Sequence, residues 1–204
     1  MGVDELTGGV ARYEAAMRAV SEVSRYPVSF EDIPGGAKGF FSRSEPKRIV
    51  IQKGMSQAQT LKTAIHELAH SVMHDSVPEG EGPALPGRAT REVQAESVAF
   101  IVSSWLGLDT GDYSFGYVAG WSEGKDLSEL RASLDEIRGA AHGIIGSMEQ
   151  KMAENREAEG LERVRALEHK PDAACRSLSE RAAIARRASA RDDHAPRLPD
   201  RSDR

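Results

Sequence analysis

The pentapeptide His66-Glu67-Leu68-Ala69-His70 constrains the fold of this chain more than any other feature of its sequence. Apolar residues around it recur at the spacing of one helix face, which predicts an α-helix. These residues are Leu61, Ala64, Ile65, Leu68, Ala69 and Val72. Ser56 and Gln59 have the spacing of a capping box, so the helix is predicted to begin at Ser56. Its two histidines, at positions i and i+4, then lie on one face about one turn apart.

This spacing suits a catalytic metal site. Two imidazoles on one helix face can bind a single zinc ion from a rigid frame. Glu67 is adjacent to the first histidine, where its carboxylate can take a proton from a water that the metal acidifies and pass it to a leaving amine. The alternative is a chance motif on an amphipathic helix. A preceding strand, a helix cap and a following acidic helix favour the metal site.

A catalytic zinc needs a third protein ligand and one open position. The predicted helix Thr90–Leu106 offers Glu92 and Glu96, again at positions i and i+4. We predict that Glu92 binds the metal and that Glu96 accepts a hydrogen bond from a ligand histidine, with Glu96 as the alternative ligand. His74 lies about 12 Å along the helix axis from His66, so a structural or orienting role is predicted for it.

Peptide hydrolysis also needs a group that stabilises the oxyanion. The candidates are Tyr113, Tyr117, Trp121 and His142. We assign this catalytic role to Tyr117. The alternative for each aromatic residue is a place in the core, and for His142 a structural role near an apolar stripe.

The order of predicted elements indicates an α+β fold with a small antiparallel or mixed sheet packed on the helices. A first helix is predicted over Asp4–Arg25 and a last one from Asp126. Three short β-rich segments lie between Pro27 and Gln52, namely Pro27–Glu31, Gly39–Ser42 and Arg48–Gln52. The apolar stripe of the last helix is predicted to comprise Leu127, Leu130, Leu134, Ile137, Ala141, Ile145 and Met148.

A change in composition near residue 153 predicts a domain over 1–153 and a charged tail over 154–204. The tail holds 12 basic and 11 acidic residues and few large apolar ones. We expect it to extend the last helix to Glu168 and to be disordered from Lys170 onward. Its arginines suggest at most weak contact with nucleic acid, and a solvated tail is the alternative.

The bulk composition limits the classes of protein that fit. The net charge of −5 gives no global reason to expect nucleic-acid binding. No apolar run reaches the roughly 18 residues that a membrane span needs, and the N-terminus lacks the pattern of a signal peptide. A single cysteine, Cys175, fits a reducing compartment. We therefore expect a cytoplasmic protein with no membrane partner.

The sequence 61–70, Leu-Lys-Thr-Ala-Ile-His-Glu-Leu-Ala-His, resembles the active-site helix of the zincin-like metallopeptidase domain of ArdC-type antirestriction proteins. Segments 27–32, 38–42, 91–100 and 109–121 resemble that family as well. The related ImmA/IrrE metallopeptidases have a similar HExxH motif and an acidic helix with a Glu-x-x-Ala core. Here that core begins at Glu92, which supports Glu92 as the ligand.

The resemblance implies a gluzincin-like fold, a Zn²⁺ cofactor, a cytoplasmic bacterial protein and frequent carriage on a mobile genetic element. ArdC-type proteins often carry an N-terminal single-strand-DNA-binding domain. Only about two dozen residues precede the first strand here, so that domain is not expected in this chain.

The expected function is zinc-dependent hydrolysis of peptide bonds in a cytoplasmic protein substrate. Strand Arg48–Gln52, if it is the sheet edge, would bind an extended substrate by strand addition. The alternative is a zinc-containing module that binds nucleic acid or protein with little or no proteolysis. A structural domain without metal is the third hypothesis.

Overall fold

The computed structural model describes residues 12–75, 86–108 and 127–168. They form a mixed α+β structure with four helices and three strands. In chain order the elements are α1 (Tyr13–Val23), β1 (Val28–Glu31), a 3-10 turn (Pro34–Gly36), β2 (Gly39–Ser42), β3 (Arg48–Gln52), α2 (Gln57–Met73), α3 (Arg88–Trp105) and α4 (Leu127–Glu168).

The sheet is mixed and has the order β1-β3-β2. β1 runs parallel to β3, with Val28 opposite Ile49, and β2 runs antiparallel to β3, with Phe40 opposite Val50. The three consecutive apolar residues of β3, Ile49 to Ile51, are completely buried. A strand that is covered on both faces has such a continuous apolar run.

The central position of β3 corrects one expectation. Arg48–Gln52 was predicted as a candidate sheet edge, but it has a partner strand on each side. Among the described strands, the edge next to the candidate site is β2 instead, because Gly39 to Phe41 and the preceding Lys38 line the same cleft as His66.

Helix α2 lies in the middle of the core. Leu61, Ile65 and Leu68 have no exposed surface, and they cluster with Val20 of α1 and Val98 of α3. Burial of such side chains is the main source of stability for the helix, each contributing roughly 1.5–3 kcal/mol. The helix begins as predicted, since the Ser56 hydroxyl accepts a hydrogen bond from the Gln59 N–H at 3.1 Å.

The apolar stripe of α4 differs from the predicted one. Leu134 is 57% exposed, whereas Ile144 is buried together with Ile137, Ala141 and Met148. Steps of four, three and four residues follow the 3.6-residue period of a helix. Leu134, three residues before Ile137, has the same period, but its side chain is left exposed.

Contacts divide the chain into two units, Met1–Arg156 and Glu157–Arg204. The described part of the second unit, residues 157–168, is helical. The predicted domain boundary at residue 153 stays a prediction, and the predicted disorder from Lys170 onward lies outside the described residues. Within the described ranges, the helices contain no apolar stretch of the length that a membrane span requires.

Candidate metal centre

His66 and His70 lie on the face of α2 that borders a cleft of about 600 Å³. Their Nε2 atoms are 3.1 Å apart. Both side chains are mostly buried, with 20% and 14% of their surfaces exposed. The i and i+4 spacing therefore brings the two imidazoles together, as the sequence predicted.

Glu92 of α3 completes a group of three donors that could hold a metal ion. Its Oε2 lies 3.7 Å from Nε2 of His66 and 3.6 Å from Nε2 of His70. Ligand atoms bound to zinc at 2.0–2.1 Å in a tetrahedron are about 3.3–3.4 Å from one another. The three donor atoms are spaced close to this value, so the donor set fits such an ion.

Glu96 lies one turn further along α3 and contacts the other side of the His66 ring. Its Oε2 is 3.3 Å from Nδ1 of His66, and its Oε1 accepts a hydrogen bond from Nζ of Lys62 at 2.6 Å. A carboxylate at this position favours the tautomer in which Nδ1 of His66 carries the proton and Nε2 is free. The structure thus places Glu92 and Glu96 where their predicted roles need them, while the roles themselves stay predictions.

The charges of these groups are coupled. Burial by itself lowers the pKa of His66, but the neighbouring carboxylates of Glu92 and Glu96 outweigh it and raise that pKa to about 9. The nearby imidazoles of His66 and His70 hold the pKa of Glu92 well below its usual range. Burial raises the pKa of Glu96, but contacts with His66 and Lys62 outweigh it, so this pKa also lies below its usual range.

Glu67 is almost completely buried between α2 and β2. Burial raises the pKa of its carboxyl group, and the nearby imidazoles of His66 and His70 oppose this rise. The backbone of Phe41 donates a hydrogen bond to the same carboxyl group. A carboxyl group with a raised pKa is suited to exchange protons near neutral pH.

Gly39 allows β2 to lie directly against this part of α2. A Cβ atom at position 39 would be 2.7 Å from Cγ2 of Thr63, 3.0 Å from the carbonyl oxygen of Val50 and 3.2 Å from Cγ of Glu67. Only glycine fits this approach without a shift of its neighbours.

His74 contacts His70 on the side of the ring that faces away from Glu92, with 3.0 Å between the two Nδ1 atoms. It is the C-terminal cap residue of α2 and is 2% exposed. Burial lowers its pKa to about 4, so the ring is neutral at pH 7. This position fits the predicted orienting role better than a role as ligand.

The structure also shows residues that the sequence analysis missed. Lys62 precedes His66 by one turn, so the same spacing rule would have placed it on the cleft face. Gln94 is 1% exposed and hydrogen-bonds to His74, and no spacing rule identifies it.

The predicted oxyanion group, Tyr117, lies outside the described residues, as do Tyr113 and Trp121. His142 is exposed on α4 and does not line the cleft. The structural role that was the alternative for His142 stays a prediction.

Residues 23–113 match the model of a peptidase family described as the IrrE N-terminal-like domain. The matched segment includes α2 and α3 and hence all three donors of the candidate metal site. The resemblance to the ImmA/IrrE group is therefore confirmed over this segment.

The chain is also similar to an uncharacterized protein of Bacillus anthracis, with 32% identity over 108 residues. The similar stretch covers 52% of this chain and 18% of that protein, so the chain spans less than a fifth of this curated relative. Among solved structures, it is similar to the Mn(II)-bound antirestriction ArdC protein from plasmid R388. That likeness has a TM-score of 0.44 and 20% identity, and it covers 74% of this chain and 56% of that one.

Proposed function

We propose that this chain is a zinc-dependent metallopeptidase that hydrolyses peptide bonds in a cytoplasmic protein substrate. The observation that carries the proposal is the group of donor atoms from His66, His70 and Glu92, spaced 3.1–3.7 Å apart. Glu67, with its raised pKa, lies on the same helix beside this group. The match of residues 23–113 to a peptidase family supports the same activity.

In this proposal His66, His70 and Glu92 hold the zinc ion, and two imidazoles with one carboxylate favour zinc among the common divalent metals. When bound, the ion supplies Lewis acidity that polarises a carbonyl group and lowers the pKa of water. Glu67 takes up a proton at its carboxylate and delivers it to the leaving amine. Glu96 keeps Nδ1 of His66 protonated, which leaves Nε2 free to coordinate.

The edge of β2 is the surface that would hold an extended substrate. The carbonyl of Lys38 accepts a hydrogen bond from the N–H of Gln52 at 2.9 Å. The main-chain N–H and carbonyl groups of Lys38 and of every second residue after it therefore point toward β3. The main-chain groups of Gly39 and Phe41, which alternate with them, face away from β3. The N–H of Phe41 is bonded to Glu67, so the groups that a peptide could use are those of Gly39 and the carbonyl of Phe41. A peptide in extended conformation can therefore add to this edge as a further strand.

The charges that line the cleft suggest which peptides would bind. Lys38, Arg43, Arg88 and Arg91 line it together with the candidate metal donors. Cations around a concave site attract a ligand of opposite charge. We therefore propose that the substrate segment carries acidic side chains next to the scissile bond.

The test is hydrolysis of internally quenched peptides by the zinc-loaded full chain. A peptide with Asp or Glu on both sides of the cleavage site should be cut at least several times faster than a matched peptide with Lys there. Glu67→Gln should keep zinc and abolish cleavage. If Glu67→Gln cleaves as fast as the unsubstituted chain, the activity does not come from this site and the proposal fails.

The basic lining of the cleft also favours a second candidate, a zinc-containing module that binds nucleic acid without proteolysis. Phosphate groups would contact the same side chains, Lys38, Arg43, Arg88 and Arg91. This function predicts salt-sensitive binding of a single-stranded oligonucleotide that Glu67→Gln leaves intact. Replacement of Arg88 and Arg91 by Gln should abolish that binding, and peptide cleavage should be absent from every variant.

A further inference from the structure

A chain of hydrogen bonds, buried at its centre, leads from the candidate metal site to α4. It starts at Nδ1 of His70, 3.0 Å from Nδ1 of His74, and continues from Nε2 of His74 to Oε1 of Gln94 at 2.9 Å. From Nε2 of Gln94 it reaches Oγ of Ser133 at 2.8 Å and Oε2 of Glu136 at 2.7 Å. The links connect α2, α3 and α4.

The orientation of the Gln94 amide follows from its partner on α4. The carboxylate of Glu136 accepts hydrogen bonds and cannot donate them, so the Gln94 atom beside it must be the NH₂ group. The hydroxyl of Ser133 can donate or accept, so it does not select an orientation by itself. Glu136 therefore turns the carbonyl oxygen of Gln94 toward His74.

This orientation fixes the protons on both histidines. The carbonyl oxygen of Gln94 only accepts, so Nε2 of His74 must donate to it and Nδ1 of His74 is bare. The bare Nδ1 then accepts the hydrogen from Nδ1 of His70. In a neutral His70 ring, Nε2 then has no proton and directs its lone pair toward His66 and Glu92.

Burial makes this arrangement hard to replace. His74 is 2% and Gln94 1% exposed, and Ser133 is also buried. Water has little access to the ring nitrogens of His74 and cannot easily provide a substitute acceptor. A partner that fixes the tautomer of a ligand histidine typically changes metal affinity by 10–100-fold.

We propose that Gln94 and Glu136 are positioning residues for the metal site, which act through His74 to hold His70 in the tautomer with a bare Nε2. The inference rests on the proposed function in one respect, that His70 is a metal ligand. It assigns to α4 a part in metal binding, although α4 itself contributes no donor to the candidate site within the described residues.

The first measurement is independent of metal. Long-range proton–nitrogen NMR spectra of the zinc-free chain at pH 8 should show His70 protonated at Nδ1 and His74 protonated at Nε2. In Gln94→Leu, both histidines should populate a mixture of tautomers. A His70 that carries its proton on Nε2 in the unsubstituted chain would overturn the proposal, whether or not the chain binds zinc.

The second measurement is zinc affinity, determined by competition with a chromogenic chelator. Gln94→Leu should weaken zinc binding by 10–100-fold, and Ser97→Ala, on the same helix, should leave it unchanged. Combining Gln94→Glu with Glu136→Gln should restore the affinity to within about threefold. In this double variant, position 94 again presents an acceptor to His74, and position 136 supplies a donor from α4. If Gln94→Leu weakened zinc binding only through a general loss of packing, this exchange would not restore the affinity.

A further variant covers the case in which Gln94→Leu does not fold. Glu136 is exposed, so Glu136→Ala should fold and still release the amide of Gln94 from its fixed orientation. A mixed tautomer at His70 and a three- to tenfold weaker zinc affinity support the proposal. An unchanged tautomer and an unchanged affinity overturn it. If the tautomers behave as expected but the unsubstituted chain binds no zinc, the proposed function fails and the hydrogen-bond chain stands.

Discussion

Lys62 and Glu96 form an ion pair beside the candidate metal donors, with 2.6 Å between Nζ and Oε1. Their side chains are only 4% and 11% exposed. Burial lowers the pKa of Lys62, and the contact with Glu96 opposes this shift. When one member of a buried ion pair is replaced, the remaining charge is still removed from water but loses the attraction of its partner. Replacement of either residue should therefore lower the stability of the fold.

Lys62→Met should therefore lower the free energy of unfolding by about 3 kcal/mol. Combining Lys62→Met with Glu96→Gln should cost less than Lys62→Met alone, because no buried carboxylate is then left without its lysine partner. Urea unfolding of the zinc-free chain measures both. Lys53→Met is the matched control, since Lys53 is exposed, and it should change stability by less than about 0.5 kcal/mol. Equal effects of Lys62→Met and Lys53→Met would contradict the prediction.

Measurements of metal content should distinguish the roles of Glu92 and Glu96, the two glutamates of α3. Elemental analysis should find one zinc per unsubstituted chain and none in His70→Ala or Glu92→Ala after dialysis. Glu96→Gln should retain zinc with an affinity about 10–100-fold lower, because it orients His66 without coordinating. Retention of zinc by Glu92→Ala together with its loss from Glu96→Ala would exchange the two roles.

Gly39→Ala should affect stability and turnover together. The new methyl group would overlap with Cγ2 of Thr63 and press on Glu67, so β2 must move away from α2. Overpacking of this kind costs about 1–3 kcal/mol. The displaced carboxylate should also reduce the rate of peptide cleavage while zinc content stays unchanged.

Gly139→Ala provides the comparison, since a Cβ there would meet nothing within 4 Å. In the middle of α4 this change should leave the urea midpoint unchanged or raise it. If Gly39→Ala unfolds at the same midpoint as Gly139→Ala, β2 and α2 are not as close as described.

The contacts of Asp75 predict how the free energy of unfolding depends on pH. It accepts hydrogen bonds from Nζ of Lys47 at 2.7 Å and from the hydroxyl of Tyr26. Burial raises the pKa of Asp75, but these two bonds outweigh it and hold that pKa below its ordinary 3.8. The stabilisation is therefore complete above pH 3.8 and is lost as the pH falls through the lower pKa of the folded state.

Asp75→Asn should accordingly unfold at lower urea concentration than the unsubstituted chain at pH 6, and the difference should shrink below pH 4. Asp135→Asn is the control, because the Asp135 side chain is 73% exposed in its pair with Arg138. Surface pairs of this kind contribute little, so its effect should be small at every pH. A constant difference between Asp75→Asn and the unsubstituted chain from pH 3 to pH 7 would rule out this linkage.

Local sequence patterns predicted the elements of the fold well, since each depends on neighbours along the chain. The helix of His66 and His70 begins at the predicted cap, and three strands occur where β-rich segments were found. The central place of β3 was not predicted, although its run Ile49-Val50-Ile51 is typical of a strand covered on both faces.

The candidate site was predictable to the extent that it follows helix periodicity. The i and i+4 pairs on α2 and α3 were sufficient to select His66, His70, Glu92 and Glu96. The contacts of Lys62 with Glu96 and of His74 with Gln94 depend on how α3 is rotated against α2, which tertiary packing determines. Leu134 was misplaced for the same reason, because a stripe on a helix does not specify which residue the neighbouring helices cover.

The strand order has a consequence for synthesis on the ribosome. β1 and β2 each pair with β3 and are separated by it in the sheet, so neither has a partner strand until Arg48–Gln52 is available. β2 can pair with β3 across a short connection, whereas the parallel contact of β1 closes a longer loop and is expected to form later. The sheet edge beside Glu67 should thus exist before the far edge of the same sheet is complete.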